Sequence, residues 1–218
     1  GAFDYYNHAI WNRIAATRLP GKPIGVLGTA SATPASTGQG VRDDFNAKFG
    51  AGTAIYVDVT ETNGAADLPA TAATLAGCDG FYFTGGDQRR VTAAFYRANG
   101  EATLGLEALW AAHAAGACVS GSSAGAAVIS DPMITGGTSA DALYYGAAPQ
   151  GSGARGVEIG RGLGFYPGAM FDQHHLVRGR LGRLIVATEA AGFRYGFGVD
   201  ENTALAMDPE TGWADVLG

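Results

Sequence analysis

A serine flanked by small residues is the first place where this sequence could do chemistry. Ser123 lies in the run Gly121-Ser122-Ser123-Ala124-Gly125, which fits the pattern G-x-S-x-G. An apolar run at 117–120 precedes it and a small-residue stretch follows, as required where a strand turns sharply into a helix and presents a nucleophile. In such a turn the backbone N–H of Ala124 would lie beside a developing oxyanion. The pattern predicts hydrolysis through a nucleophilic serine.

A glycine pair offers the second half of an oxyanion hole. Gly85 and Gly86 follow the apolar run 80–84, where a strand is expected to end. Glycine allows a backbone N–H to face a substrate carbonyl without a side chain in the way. The alternative is an ordinary turn between a strand and a helix, with Asp87 as the helix N-cap. Both interpretations stay open at this point.

A serine nucleophile needs a general base within hydrogen-bond reach. The chain has four histidines, and His8 and His113 lie within predicted helices, where we expect structural or surface roles. His174 and His175 instead follow the predicted strand 168–171, at the end that faces the ligand crevice of a parallel sheet. The base is therefore one of this pair.

The base in turn needs an acid to orient it. Glu201 is favoured because it follows the predicted strand 196–200 and so reaches the same edge of the sheet. Asp200 is a rival and Asp172 a third candidate. The residues alone do not decide among the three.

Three arginines follow the histidine pair. Arg178, Arg180 and Arg183 lie in or near the first turns of a helix predicted over 177–191, and the last two are spaced to share a face. Arginine grips carboxylates through two parallel hydrogen bonds, so one or two of them could bind substrate carboxylates. A solvated helix face with local ion pairs is the alternative.

Strands and helices alternate along most of the chain, which predicts a mostly parallel sheet covered by helices. Strands are expected at 23–28, 54–59, 80–84, 117–120, 168–171, 196–200 and 203–207, and helices at 4–18, 41–49, 68–76, 88–97, 104–115, 124–130 and 177–191. The stretch 131–156, rich in Gly, Ala and Ser, is expected to be a loop or hairpin near the site. The run 213–217 breaks off where another strand would be natural, so we expect an incomplete C-terminus.

The composition limits which classes of protein and which partners are expected. The chain has 218 residues, 47% of them apolar and 16% charged, which suits one large catalytic domain. A net charge of −6 argues against a nucleic-acid partner. The sequence has no apolar run long enough to span a membrane and no signal-peptide pattern, so a membrane partner is not expected. The compartment, cytoplasmic or secreted, stays open because the N-terminus is expected to be trimmed.

The two cysteines make neither a metal pattern nor a disulfide framework. Cys78 and Cys118 each precede or begin an apolar run, so we expect buried thiols, with a single disulfide as the alternative if their strands are neighbours. The serine chemistry needs no metal and no cofactor.

Five stretches together resemble the cyanophycinases and the related aspartyl dipeptidases, a family of serine peptidases. They are PIGVLGTAS at 23–31, FTGGDQ at 83–88, GSSAGAAV at 121–128, DQHHLVRGRLGRL at 172–184 and GVDENTAL at 198–205. DQH followed by RGRLGRL is similar to the cyanophycinase branch in particular. Two departures are Ser122, where threonine is more common, and His175, where an aromatic residue is usual.

The resemblance implies a fold and a set of site residues. The fold would be a flavodoxin-like three-layer α/β sandwich, with a mostly parallel sheet, helices on both faces and a nucleophile elbow. Ser123 would be the nucleophile, His174 the base and Glu201 the acid. Gly86 and Ala124 would supply the oxyanion donors. The substrate pocket would be lined by Gln88, Asp172, Gln173, Arg178, Arg180 and Arg183.

The resemblance also implies a substrate and a partner. The family cleaves cyanophycin, a polyaspartate backbone with arginine on each β-carboxyl, to β-aspartyl-arginine dipeptides. A pocket for this peptide polymer of Asp and Arg needs an acid for the guanidinium, which Asp172 or Asp87 could supply. Family members often form dimers, so a homodimer is implied as well.

Three other functions stay open. An aspartyl dipeptidase would act on Asp-X peptides through the same residues. A relative of the glutamine amidotransferases would use a cysteine, yet Cys118 lies five residues before Ser123, in the predicted strand. A non-catalytic binding protein would be expected to lack the serine, the histidine or the acid, and the sequence has all three.

Overall fold

The structure is a computed structural model that describes residues 2–18, 21–208 and 210–218. The chain forms two compact units: the first consists of residues 8–125, and the second of residues 2–7 together with 126–218. The sequence predicts a single catalytic domain, and that organisation stays a prediction.

A parallel sheet forms the centre of the first unit. Its strands are β1 (Ile24–Leu27), β2 (Ala54–Val57), β3 (Gly80–Phe83) and β4 (Cys118–Gly121), in the order β2-β1-β3-β4. This is the order in which flavodoxin-like sheets begin. β1 and β3 are buried along their whole length, which is why they read as continuous apolar runs rather than as alternating ones. The predicted flavodoxin-like α/β fold is confirmed.

Helices connect these strands. They are α1 (His8–Ala16), α2 (Pro34–Phe49), a short 3-10 turn (Ala65–Asp67), α3 (Pro69–Ala76), α4 (Gln88–Phe95) and α5 (Leu104–Ala114), and α6 (Ala124–Ala127) carries the chain into the second unit. α2 begins at Pro34 rather than at 41, because proline is favoured in the first turn of a helix. Phe45 of α2 packs its ring 4.7 Å from that of Trp11 and 5.9 Å from that of Tyr82.

The second unit contains smaller sheets. Its elements are β5 (Met133–Gly136), α7 (Ser139–Tyr145), β6 (Ala147–Pro149), β7 (Val157–Gly160), β8 (Ala169–Gln173), α8 (Leu181–Ala190), β9 (Tyr195–Val199), β10 (Ala204–Met207) and β11 (Ala214–Leu217). β5, β7 and β6 form one sheet, β8 and β9 a parallel pair, and β10 and β11 an antiparallel pair. A core cluster that includes Ile134, Val157, Met170 and Leu184 joins β5, β7, β8 and α8.

The stretch 131–156 holds β5, α7 and β6, so it has more regular structure than a loop or a hairpin. Its many small residues give little hydrophobic periodicity, and this removes the main signal for helices and strands. α8 begins at Leu181 rather than at 177, because residues 174–180 form turns that include Gly179 at φ 59°.

Both cysteines are free thiols, although the strands that they flank, β3 and β4, are neighbours. The disulfide alternative is therefore wrong. Cys78 is buried as expected, and this burial raises its pKa to about 11. Cys118 is partly buried, and burial raises its pKa too. Within the described part of the chain, no helix is both long enough and apolar enough to cross a bilayer.

Candidate active site

Ser123 occupies a strained backbone conformation immediately after β4. Its φ is 51°, in the left-handed region that residues other than glycine rarely adopt. The Ser122 N–H donates to the carbonyl of Phe83 at 3.1 Å, and the Gly125 N–H donates to the carbonyl of Ser122 at 2.8 Å. These bonds close the turn between β4 and α6, as in a nucleophile elbow.

The two glycines of the pattern are required by packing. A Cβ added to Gly121 would lie 2.3 Å from the carbonyl oxygen of Gly125, and one added to Gly125 would lie 2.1 Å from that of Phe83. Neither distance leaves room for a side chain. The spacing G-x-S-x-G here is therefore a packing requirement of the turn rather than a chance match in a glycine-rich sequence.

Ser122, the neighbouring serine, has a different role. Its side chain hydrogen-bonds the hydroxyl of Tyr82, and burial raises the pKa of that hydroxyl to about 12. The Ser122 side chain is thus hydrogen-bonded to β3, the strand that contains Tyr82.

Gly85 and Gly86 lie beside the elbow, at the end of β3. A Cβ on Gly85 would stand 3.2 Å from the Cβ of Ser123 and 3.7 Å from its Oγ, so glycine keeps the space next to the hydroxyl open. Gly86 has φ 144°, and a Cβ there would lie 2.0 Å from the carbonyl oxygen of Ala30. The backbone of Gly86 therefore packs directly on the loop after β1.

Asp87 is the N-cap of α4, as one of the two interpretations expected. Its carboxylate accepts a hydrogen bond from the backbone N–H of Arg89 at 2.9 Å. It also accepts one from the side chain of Arg89, whose Nη2 donates at 2.7 Å. The hydrogen bond from the Arg89 side chain lowers the pKa of Asp87. Gln88, the first residue of α4, is buried.

His174 and Glu201 form a hydrogen-bonded pair at the carboxyl ends of β8 and β9. His174 follows Gln173, which is opposite Val199 in the parallel register, so the two loops leave the same edge. The His174 Nδ1 lies in hydrogen-bond contact with Oε1 of Glu201, and this bond lowers the pKa of the glutamate. A neutral imidazole that donates through Nδ1 carries its lone pair on Nε2, the form that a general base needs.

The rival acids have other partners. Asp200 accepts the backbone N–H of Leu176 at 2.7 Å, and Asp172 is paired with Arg183. The structure therefore places Glu201, of the three candidates, on His174.

His175 packs into the second unit. Its ring covers Gly198 of β9, where a Cβ would lie 2.2 Å from the ring. Its Nδ1 is buried and has no hydrogen-bond partner among the described residues. Of the two histidines, His174 is the one that contacts an acid.

Asn202, which the sequence reasoning missed, anchors the loop that carries Glu201. It has φ 53°, and its Oδ1 accepts the Asp4 N–H at 2.8 Å. Its own N–H donates to the carbonyl of Ala2 at 2.8 Å, and its carbonyl accepts the side-chain amide of Asn7 at 3.0 Å. These bonds join positions almost 200 residues apart, so no local pattern could have revealed them.

The arginines differ in exposure. Arg183 is 4% exposed and forms two hydrogen bonds with Asp172, at 2.7 Å from Nε and 2.6 Å from Nη2. Arg180 lies before α8 and donates to the carbonyl and side-chain oxygens of Gln173 at 2.6 and 2.9 Å. Burial lowers the pKa of Arg180. Arg178 is exposed, in the turn before the helix.

The predicted residues thus fall into two sets. Ser123, Ala124, Gly86 and Gln88 belong to the first unit, and His174, Glu201, Asp172, Gln173 and the three arginines belong to the second. No group of three or more His, Cys, Asp or Glu side chains in the described ranges is arranged to hold a metal ion.

The sequence profile of peptidase family S51 matches residues 30–212. The chain therefore belongs to this family of peptidases, and the resemblance stated from the motifs is confirmed. Its likeness is to cyanophycinases in particular. It is 37% identical over 147 residues to the cyanophycinase of Trichormus variabilis, across 67% of this chain and 44% of that protein. It is 34% identical over 197 residues to the cyanophycinase of Synechococcus elongatus, and this match covers 89% of this chain and 56% of that protein.

The chain spans about half the length of the curated relatives that it matches. A crystal structure of a peptidase from an acI-B1 Actinobacterium superposes with a TM-score of 0.69 at 16% identity, and the match covers 100% of this chain and 85% of that one. At that identity the likeness shows the fold alone, and it agrees with the parallel sheet described above.

Proposed function

We propose that this chain is a serine peptidase that hydrolyses cyanophycin, multi-L-arginyl-poly-L-aspartate, to β-Asp-Arg dipeptides. The observation that carries the chemistry is the conformation of Ser123. Strained backbone of this kind persists where the surrounding structure enforces it, often at an active site. Here Gly121 and Gly125 close the turn, and glycine at position 85 keeps a side chain from crowding Ser123.

In the proposed mechanism the imidazole of His174 takes the proton from the hydroxyl of Ser123. The Ser123 oxygen then forms a bond to the substrate carbonyl carbon, and the backbone N–H groups of Gly86 and Ala124 stabilise the oxyanion. His174 returns the proton to the leaving amine as the peptide bond breaks. Water, activated by the same imidazole, hydrolyses the acyl-enzyme, while Glu201 holds the ring in the required tautomer.

The substrate assignment draws on the cyanophycinase relatives and on the charges of the site. Of the two acids that the sequence offers for the arginyl guanidinium, Asp172 is enclosed with Arg183, whereas Asp87 is partly exposed. Asp87 binds the guanidinium of Arg89 through two bonds, and because both side chains are partly exposed, a substrate arginine could replace Arg89 in the same geometry. We therefore assign the guanidinium contact to Asp87.

The remaining pocket residues of the proposal are Gln88, Gln173, Arg178 and Arg180. Arg178 is exposed and Arg180 is half-buried, so these two are the cations in the loop after β8 that a free carboxylate of the polymer could approach.

The deciding experiment uses the purified chain and two substrates. With cyanophycin we expect β-Asp-Arg dipeptides, identified by mass spectrometry, and a fluorophosphonate probe should label the wild type but not Ser123→Ala. Turnover of Asp-X dipeptides without turnover of the polymer would indicate an aspartyl dipeptidase instead. Failure of the wild type to react with the probe would refute the serine mechanism and favour a binding protein.

A further inference from the structure

Asp172 and Arg183 form a buried ion pair in the second unit. Their side chains are 1% and 5% exposed. Both carboxylate oxygens of Asp172 accept hydrogen bonds. Oδ2 accepts one from Nε of Arg183 at 2.7 Å. Oδ1 accepts one from Nη2 of Arg183 at 2.6 Å and another from the backbone N–H of Gln173 at 2.9 Å. A charged group of a substrate would have to displace one partner and enter a closed space.

The pair also joins three segments of the chain. Asp172 lies at the end of β8 and Arg183 in the first turn of α8. The Nη1 of Arg183 donates to the carbonyl of Gly137, before α7, at 2.9 Å. Ser139 adds two hydrogen bonds between the same segments. Its Oγ accepts one from the backbone N–H of Arg183 at 3.2 Å and donates one to the carbonyl of Gly179 at 2.5 Å.

The turn 174–180 lies between the two members of the pair, and His174 is its first residue. His174 has φ 50°, a conformation that its surroundings must hold. Its carbonyl accepts the Arg178 N–H at 3.1 Å, and the carbonyl of His175 accepts the Arg180 N–H at 2.8 Å. These bonds and the ion pair fix both ends of the turn, and so fix the ring that contacts Glu201.

We infer that Asp172 and Arg183 are positioning residues for the base rather than substrate-binding residues. The pair closes the loop that carries His174 and keeps its imidazole on Glu201. This inference rests on the proposed serine mechanism, in which His174 is the base. A displacement of about 1 Å at a catalytic group can cost about 100-fold in rate, so a loosened turn should slow chemistry rather than weaken binding.

The test separates chemistry from binding with a reagent that carries no arginine and no carboxylate. A small fluorophosphonate needs an activated Ser123 but no contact with the substrate pocket. We expect Asp172→Asn and Arg183→Met to lower the second-order labelling rate and the kcat for cyanophycin roughly 10- to 100-fold, with KM changed less than about threefold. Arg183→Lys keeps the charge but not the two-bond geometry, so its labelling rate and kcat should lie between those of these variants and those of the wild type.

Asp172→Asn leaves the buried Arg183 without its carboxylate, and Arg183→Met leaves Asp172 with only Arg180, at 3.9 Å; an unpaired buried charge can unfold a protein. The double variant Asp172→Asn/Arg183→Met removes both charges, so we expect it to stay folded by circular dichroism and still to label slowly. The matched control is Asp141→Asn/Arg155→Met, which removes an aspartate–arginine pair of the same unit that is held at 3.1 Å and is far more exposed, with side chains 31% and 66% exposed. It should label at the wild-type rate.

Wild-type labelling of the folded double variant, with a raised KM for cyanophycin, would overturn the inference and restore a substrate-binding role. A wild-type protein that the probe does not label would instead refute the serine mechanism itself. The two failures are therefore distinguishable.

Discussion

Gly125 offers a direct test of the elbow. A Cβ added there would lie 2.1 Å from the carbonyl oxygen of Phe83 and 2.6 Å from its carbonyl carbon. Both atoms belong to the backbone of β3, whose Phe83 oxygen also accepts the Ser122 N–H. An ordinary carbon–oxygen contact is about 3.3 Å or more, so β3 and the turn must separate by about 1 Å. Forcing a methyl group into a packed site typically costs about 1–3 kcal/mol.

We expect Gly125→Ala to lower the free energy of unfolding in urea by about 2–3 kcal/mol. Fluorophosphonate labelling of Ser123 should fall further than the loss of folded protein explains, because the turn itself is displaced. Gly40→Ala is the matched control, since Gly40 is exposed in α2 and a Cβ there meets nothing within 4 Å. Removing a glycine from a helix interior should raise stability by about 0.5–1 kcal/mol. If Gly125→Ala unfolds and labels as the wild type does, the packing argument for the elbow is wrong.

Two further predictions concern carboxylates of the first unit. Asp87→Asn keeps a good helix cap but loses the charge, so the KM for cyanophycin should rise about 10-fold or more; an unchanged KM would place the guanidinium elsewhere. The second concerns Asp67, whose pKa the hydrogen bond from Arg97 lowers from 3.8 to about 2. A depressed pKa gives stability that is present above 3.8 and lost as the pH falls towards 2. The Tm difference between wild type and Asp67→Asn should therefore shrink across that range, and a constant difference would contradict the assignment.

Much of the first unit could be predicted because its signals are local. Buried parallel strands are continuous apolar runs, and the elbow needs glycine at fixed positions around Ser123. The same reasoning found the edge of the sheet at which Gly85 and Gly86 lie, since parallel strands end together.

The second unit was harder to predict because its important contacts are not local. The residues alone left His174 and His175 equivalent, and left three acids open, because a side chain's partner depends on the turn that follows its strand. Asp172 and Arg183 were expected to line a pocket, since a sequence shows charge but not enclosure. Their burial against one another, and against Gly137, becomes visible once α8 is placed on β8.

The bonds between residues 2–7 and Asn202 bear on the order in which the protein is made. They join positions 195 to 200 apart and cannot form before Asn202 has been synthesised. At 5–20 residues per second this is a delay of roughly 10–40 s, during which the contacts within residues 8–125 can already form. Residues 2–7 therefore reach their final contacts only after Asn202 has been made. Since Asn202 adjoins Glu201, the acid reaches its final setting only after Asn202 has bonded to residues 2–7.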